Sequence, residues 1–442
     1  MTYRGLGRRA AGALGLVVIA TGVAHAGAFG IREQSAYGLG SAYAGIAAGG
    51  SLSSMFWNPA TMTQFGGMQS ETVLTGILPY GKNNVGAGTT LSAFGLGGTD
   101  NIGIDALVPS GYTSYQLNSN LWIGLATNSP FGLAEHFPNT SFAGRTYAGD
   151  ASVKTYNASP SIAYKVNDWL SIAAGAQIQY MSVDLLKGIG PLPPILPSTS
   201  VNLDGAGWGY GYTLGATLKP TATTTIGVGY RSGINQKING TLALYTPLPG
   251  STPGSVNTSL ALPGTLSVGV RQQLGPQWTL LGTFEWTNWS RIGTADISQP
   301  SGAPAVVLGT AARIPFEYRD GWFASVGAEY KWSEALTVRG GVGFERSPIT
   351  DDVRLPLLPD NDRTWATIGA TWNVTPQIAL DFGYSHIFVK DTSITVGPGN
   401  PSFTAPFVYN GTVDSHVDII SLGFKYRWDA PVVAHPPLIT KG

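Results

Sequence analysis

Residues 277–288 read QWTLLGTFEWTN. The even positions Trp278, Leu280, Phe284 and Trp286 are apolar around Gly282, and the odd positions Gln277, Thr279, Thr283, Glu285 and Thr287 are polar apart from Leu281. Side chains of an extended chain point alternately to opposite faces, so this stretch is a strand with one apolar and one polar face. The pattern recurs at 321–332, 336–344 and 378–384, and again at 420–428, where Ile420, Leu422, Phe424, Tyr426 and Trp428 oppose Ser421, Gly423, Lys425 and Arg427. Trp and Tyr collect near the strand ends, as they do at the two interfaces of a bilayer. The polar face is mostly Thr, Ser, Gly and Gln. A soluble β-sandwich would put more charge on its outer face and more Val and Ile on its inner one.

Composition points the same way. Charged residues make up 11% of the 442, about half the usual globular share of ~25%. There are 60 Gly, and the absence of Cys excludes disulfides and thiolate metal sites. Met1 to Ala26 reads as a secretory signal: Arg4, Arg8 and Arg9, an apolar run from Ala10 to Val23, then Ala24-His25-Ala26 as the small-x-small cleavage site. That run is too short to span a bilayer, and no later run is long enough for a transmembrane helix. Cleavage after Ala26 removes three of the 25 basic residues, leaving 22 against 25 acidic ones and a net charge of −3. Nothing in that balance calls for a nucleic-acid partner. In lipid every backbone polar group must be satisfied within the protein, so a chain without apolar helices crosses as a closed barrel. The fold class expected is all-β: a transmembrane antiparallel β-barrel in the outer membrane of a Gram-negative cell.

The alternation predicts strands at 68–82, 104–117, 120–131, 149–166, 168–185, 205–219, 222–238, 258–274, 277–291, 316–332, 335–346, 362–374, 377–390 and 414–428. That makes fourteen, an even number, as closure of a single-chain antiparallel barrel requires. Short turns such as Asn118-Ser119, Asn167-Asp168 and Thr375-Pro376 alternate with long Pro- and Gly-rich connections, which assigns the former to the periplasm and the latter to the outside. The chain divides into a signal peptide (1–26), an N-terminal segment (27–67), the barrel (68–428) and a tail (429–442) whose three prolines favour disorder.

The segment 27–67, GAFGIREQSAYGLGSAYAGIAAGGSLSSMFWNPATMTQFGG, lacks the alternation. It is too irregular for a barrel strand but suited to filling a lumen, where irregular backbone finds protein and water partners. Phe29, the run Ser35 to Gly45 and above all Asn58-Pro59-Ala60 resemble the N-terminal hatch of the FadL family, outer-membrane transporters of long-chain fatty acids and other hydrophobic molecules. Thr127-Asn128-Ser129-Pro130-Phe131-Gly132-Leu133 resembles that family's third strand, which kinks inward and leaves a gap in the wall. A proline removes a ladder hydrogen bond and a neighbouring glycine lets the backbone bend, so Ser129, Pro130, Phe131 and Gly132 are expected to form a kink on physical grounds as well. The resemblance implies a hatch that plugs the barrel and passive uptake by surface capture, lumenal binding and lateral exit at the kink. Two apolar stretches, 189–197 and 242–248 continued by 260–262, are candidates for the family's capture groove.

A fatty acid needs a cation for its carboxylate. Lys187, at the top of the fifth strand on its inward parity, is the first candidate and Arg145 the second. The cargo left open beside fatty acids is an uncharged aromatic hydrocarbon; a non-specific porin and an adhesin with a vestigial plug are the other classes. No catalytic set is visible, since His136, His386, His416 and His435 are scattered and no serine elbow accompanies them. Asp351, Asp352, Asp360 and Asp362 share one loop and could bind calcium, but a solvated loop explains them as well. No metal or cofactor is expected. The partners expected are the hydrophobic ligand, outer-membrane lipid and lipopolysaccharide, with the chain a monomer. The charges Glu285, Glu329, Lys331, Arg339, Glu345, Asp381, Lys425 and Arg427 fall on inward positions and are read mainly as braces.

Overall fold

The computed structural model describes residues 27–138, 141–188, 199–245, 254–307 and 310–429. The expected signal peptide, the stretch 189–197 and nearly all of the expected tail lie outside these residues. Fourteen strands form one antiparallel sheet. In chain order they are Met68–Val85, Ala106–Gln116, Leu121–Asn128 resumed at Gly132–Glu135, Ala151–Lys165, Leu170–Gly188, Ser200–Thr221, Thr224–Arg231 resumed at Ile234–Tyr245, Gly254–Leu262 resumed at Thr265–Leu274, Trp278–Thr287, Gly321–Lys331, Leu336–Arg346, Arg363–Asn373, Ile378–Val389 and Tyr409–Arg427. Each pairs with its neighbours in sequence, and the first closes on the last from Gln69 opposite Arg427 to Val85 opposite Gly411. Closure leaves no free edge, which lipid would not tolerate.

The short turns are built locally. Asn167 Oδ1 accepts hydrogen bonds from the backbone N–H groups of Trp169 (3.0 Å) and Leu170 (2.8 Å), and Ser333 Oγ does the same for Ala335 and Leu336. Along the ninth strand Leu280, Phe284 and Trp286 are exposed to the lipid side, while Leu281, Thr283 and Glu285 are buried.

Three strands are broken, the third at the expected kink and two others where sequence predicts continuous strands. The third stops at Asn128 and resumes at Gly132; the seventh breaks at Ser232-Gly233 and the eighth at Pro263-Gly264. Pro263 has no N–H to give the ladder, and the next one, of Gly264, is donated to Asn288 Oδ1 at 2.7 Å. The seventh strand also runs on to Tyr245 and the eighth begins at Gly254, so Leu242 and Leu244 belong to tall strands rather than to a loop. The tenth starts at Gly321, five residues later than expected from 316, because Phe316 N and Glu317 N donate to Gly293 O and continue the pairing of Arg313–Pro315 with Thr294–Asp296.

Residues 27–66 lie against the inward faces of these strands and are almost wholly buried. They form a one-turn helix, Ala36–Leu39, and 3-10 turns at Ile46–Ala48, Leu52–Phe56 and Pro59–Gln64. Asn58 explains the Asn-Pro-Ala tripeptide. Its Oδ1 caps the last turn through Ala60 N (3.0 Å), and its Nδ2 donates to Ala47 O (2.7 Å) and to Ala216 O of the sixth strand (2.9 Å). Pro59 supplies the preset φ of the first helical position.

The wall meets this segment through glycines. A Cβ on Gly229 would lie 1.8 Å from Trp57 O, and one on Gly227 1.8 Å from Ala47 O. Valine is a better strand former than glycine, but at position 229 it must push the Trp57 carbonyl away, an overpacking cost of about 1–3 kcal/mol. The Gly229→Val barrel is therefore expected to assemble while amide hydrogen exchange across residues 46–58 speeds up by roughly tenfold. Parent-like protection of 46–58 would show that the segment does not seat against this strand.

Candidate functional site

The ladder between the second and third strands ends at Gly111 opposite Thr127. Above it, residues 106–110 pair with the first strand and Gly132–Glu135 with the fourth, and the two sides meet again at an isolated bridge between Gly103 and Glu135. Residues 129–131 bulge between the two halves of the third strand. Buried backbone groups left by such a break need other partners, and the N-terminal segment provides them. Gly132 N donates to Phe29 O (2.9 Å) and Ile31 N donates to Pro130 O (2.8 Å). Gln34 Nε2 donates to Ser129 O (2.8 Å), Ser110 Oγ donates to Gln34 Oε1 (2.7 Å), and Tyr112 Oη donates to Gln34 O (2.7 Å). On the other side Thr155 Oγ1 serves both Phe131 N and Phe131 O. Ser129 to Gly132 thus form a kink whose gap is closed from within. What Gly132 makes room for is Ile31, since a Cβ there would lie 2.7 Å from Ile31 Cδ1.

A buried apolar cluster, a chamber filled by its own side chains, adjoins the kink. Phe29 stands at its centre, with ring centroids 5.0 Å from Trp289, 6.0 Å from Phe131 and 6.3 Å from Phe316; Tyr318 packs on both Trp289 and Phe316. Edge-on and tilted pairs of this kind add to the hydrophobic gain of burial. Leu133, Val153, Val183, Leu260, Leu262 and Ile349 continue the wall. Leu260 and Leu262, expected in an exposed groove, therefore line the interior. Trp289 comes from a 3-10 turn, Trp289–Ile292, directly after the ninth strand, and Phe316 and Tyr318 from the connection into the tenth. Their signal in sequence is the aromatic run WSRI…PFEY at 289–292 and 315–318, which alternation alone does not single out.

The inward charges join segment to wall. Glu329 receives Tyr37 Oη (2.5 Å), Arg271 Nη2 (2.6 Å) and Arg339 Nε (3.3 Å), the last from the residue directly opposite in the ladder. Arg32 bridges Glu285 and Glu345, both at 2.9 Å, and Lys425 Nζ is 2.6 Å from Asp381. Lys331 is outside this network: its ammonium pairs with Glu334 in the adjoining turn, and Arg427 is exposed at the rim. Arg32, Arg354 and Arg363 carry buried contacts that sequence patterning missed, two of them lying outside the strand interiors. Asp351 pairs with Arg354, and Asp360 with Arg363. Two of the four loop acids are thus engaged by arginines, and no group of three ligating side chains occurs among the described residues.

Neither cation candidate lies inside the chamber. Lys187 is paired in the ladder with Val201 and its side chain is exposed at the top of the fifth strand, two residues beyond Leu185, which packs on the chamber. Arg145 is buried beside Gly188 and donates from Nη2 to Thr199 O at 3.1 Å. The broad concavities between Leu280, Val326, Val342 and Ile368 and between Val268, Phe284 and Phe344 lie on the lipid-facing wall and belong to acyl chains rather than to cargo.

A family model described as "Outer membrane protein transport protein (OMPP1/FadL/TodX)" matches residues 17–428. The chain belongs to this family. A long-chain fatty acid transport protein of Salmonella typhi is 26% identical over 427 residues, which cover 90% of this chain and 95% of that protein. Among solved structures, a Pseudomonas aeruginosa FadL homologue has a TM-score of 0.79 at 24% identity, covering 91% of this chain and all (100%) of that one. The Pseudomonas putida toluene transporter TodX has a TM-score of 0.64 at 16% identity, with 90% and 99% covered. As a member of the FadL/TodX family the protein is an outer-membrane transporter, not an enzyme. The histidines have other uses: His386 Nδ1 is 2.8 Å from Asp418, and His416 stacks on Tyr80.

One buried acid in the N-terminal segment stands outside the ion pairs of this FadL/TodX interior. Glu33 is buried, accepts no hydrogen bond from another residue, and burial pushes its carboxyl up to about 7 despite nearby Arg32. The folded chain keeps a proton there that the unfolded chain loses near 4.5. The stability this gives is complete below about pH 4.5 and is lost as pH rises through about 7, a change of about 3 kcal/mol. The Tm of Glu33→Gln should therefore gain on the parent's from pH 5 to pH 8. A difference between the two that stays constant with pH would contradict a proton held at Glu33.

Proposed function

We propose that this transporter takes up hydrophobic small molecules, long-chain fatty acids first, and releases them sideways through the kinked third strand. The observation that carries the reading is the gap in the ladder between the second and third strands, filled from within by residues 29–34 and adjoining the apolar chamber. Lipopolysaccharide presents a polar outer layer that excludes apolar solutes. A chamber above the bilayer and a side exit into it would carry such a molecule past that layer without an energy source. The segment 27–67 acts as a hatch that blocks the straight path through the lumen. The chain works as a monomer whose outer wall meets lipid and lipopolysaccharide.

Fatty acids are favoured by the fatty acid transport protein that resembles this chain over nine-tenths of its length. The ring cluster around Phe29 supports a second reading, an uncharged aromatic hydrocarbon, as the name of the toluene transporter suggests for its own cargo. Lys187 separates the two. Exposed above the chamber, it would hold a carboxylate at the rim while the acyl chain lies below. Lys187→Ala should then weaken palmitate binding by about tenfold or more, one charge-assisted hydrogen bond of roughly 1.5–3 kcal/mol, and leave an alkane of equal length unaffected. Equal losses for both ligands, read by isothermal titration in detergent, would remove the carboxylate role.

The lateral route has its own test. Ser110 borders the gap and touches the Gln34 that fills it. Ser110→Trp places a large ring in the opening and should cut cellular uptake by at least roughly tenfold, or about 1.4 kcal/mol in barrier, with binding in detergent near the parent value. A folded Ser110→Trp protein that transports at the parent rate would redirect the path through the hatch into the periplasm.

A further inference from the structure

Beside the chamber, a set of buried ion pairs does not balance. Arg32 pairs with Glu285 and Glu345 at 2.9 Å each. Arg363 lies 4.0 Å from Glu345 and pairs with Asp360. This connected set holds two guanidinium groups against three carboxylates, and none of its side chains is more than 11% exposed. A buried charge without a counter-charge is strongly unfavourable. Among the described residues, the neighbouring charges do not mend the deficit. Arg354 donates to the backbone carbonyl of Asp360 but its charge is matched by Asp351, while Glu33 and Glu135, both close by, are acids.

Two of the three carboxylates are turned onto one short stretch of chain. Glu345 Oε1 accepts from Gly27 N at 3.1 Å, and Asp360 Oδ2 accepts from Ala28 N at 2.9 Å. In the uncut precursor Gly27 N is an uncharged amide with a single hydrogen. Cleavage after Ala26, the site read from Ala24-His25-Ala26, turns that same atom into an α-ammonium with three hydrogens.

We propose that the barrel wall carries a receptor for its own processed N-terminus, in which the Gly27 α-ammonium pairs with Glu345 and completes the buried charge set. The count becomes three cations against three anions. The ammonium is also two residues from Phe29 and four from Ile31, whose backbone groups close the gap in the third strand. Removal of the signal thus fastens the piece of chain that seals the wall, and an uncut or misplaced terminus cannot do so. One extra residue would shift the charge by about 3.5 Å, out of reach of Glu345. The inference does not depend on which cargo is carried.

The test is amine labelling of the mature, folded protein in detergent, read by mass spectrometry of the N-terminal peptide. With acetyl N-hydroxysuccinimide at pH 7.5, Gly27 should be modified at least tenfold more slowly in the folded protein than in the denatured one. Glu345→Gln should raise the folded-state rate at least fivefold. Glu285→Gln, which breaks the other Arg32 pair without touching Gly27, should leave it within twofold. Insertion of one alanine after Ala26 should restore the denatured-state rate, and this variant decides the matter if Glu345→Gln does not fold. A mature terminus other than Gly27, a folded rate equal to the denatured one, or equal effects of the two glutamate variants would each overturn the proposal.

Discussion

A hole in a membrane-spanning sheet must be paired from somewhere. The ladder between the second and third strands ends at Gly111 and Thr127, and bilayer lipid offers no partner to the groups beyond. The chain solves this with its own N-terminal residues: Phe29 O, Ile31 N and the Gln34 side chain take up the bonds that the wall lacks. Much else in the interior follows from holding those residues in place. The 3-10 turns, the glycines that admit Ala47 and Trp57 and the buried ion pairs all fix a segment with too little regular structure to fix itself.

The ion pairs do this in a particular way. Buried salt bridges are weak evidence for stability, because desolvation can cancel their attraction. What they supply here is position. Tyr37, Arg271 and Arg339 converge on Glu329 from three different elements, and Arg32 reaches Glu285 and Glu345 on two. An apolar segment of the same volume could slide or turn in the lumen. A segment anchored on fixed carboxylates has one register, which holds Phe29 and Gln34 at the kink.

Much of the barrel was legible in sequence because alternation reports directly on the two faces of a strand. The lipid-facing and lumen-facing sets of the ninth, tenth, eleventh, thirteenth and fourteenth strands came from parity alone. The kink was legible in Pro130 and Gly132, but the equivalent marker Pro263-Gly264 was read through as strand because its apolar neighbours kept the alternation. Leu242, Leu244, Leu260 and Leu262 misled for a related reason. Apolar residues outside the bilayer look like exposed loops unless the strands are known to rise above it and enclose a chamber. The pairing of Arg32 with Glu345 had no local signal at all, since 313 residues separate the two and only the docking of the segment brings them together.

The chamber also constrains the mechanism. Its centre is occupied by Phe29, in ring contact with Phe131, Trp289 and Phe316. The same residue's carbonyl accepts the hydrogen bond of Gly132 in the kink. A cargo molecule that enters the chamber competes with the Phe29 ring for one volume, and Phe29 cannot leave without loosening the bond that helps close the gap. On the proposed lateral route, binding and opening are therefore the two sides of a single equilibrium, which cargo shifts only by its differential affinity for the state with Phe29 displaced. A molecule too small to dislodge the ring gains nothing from the chamber. One that replaces the buried area of the ring pays little for opening the wall, as the proposed lateral route requires.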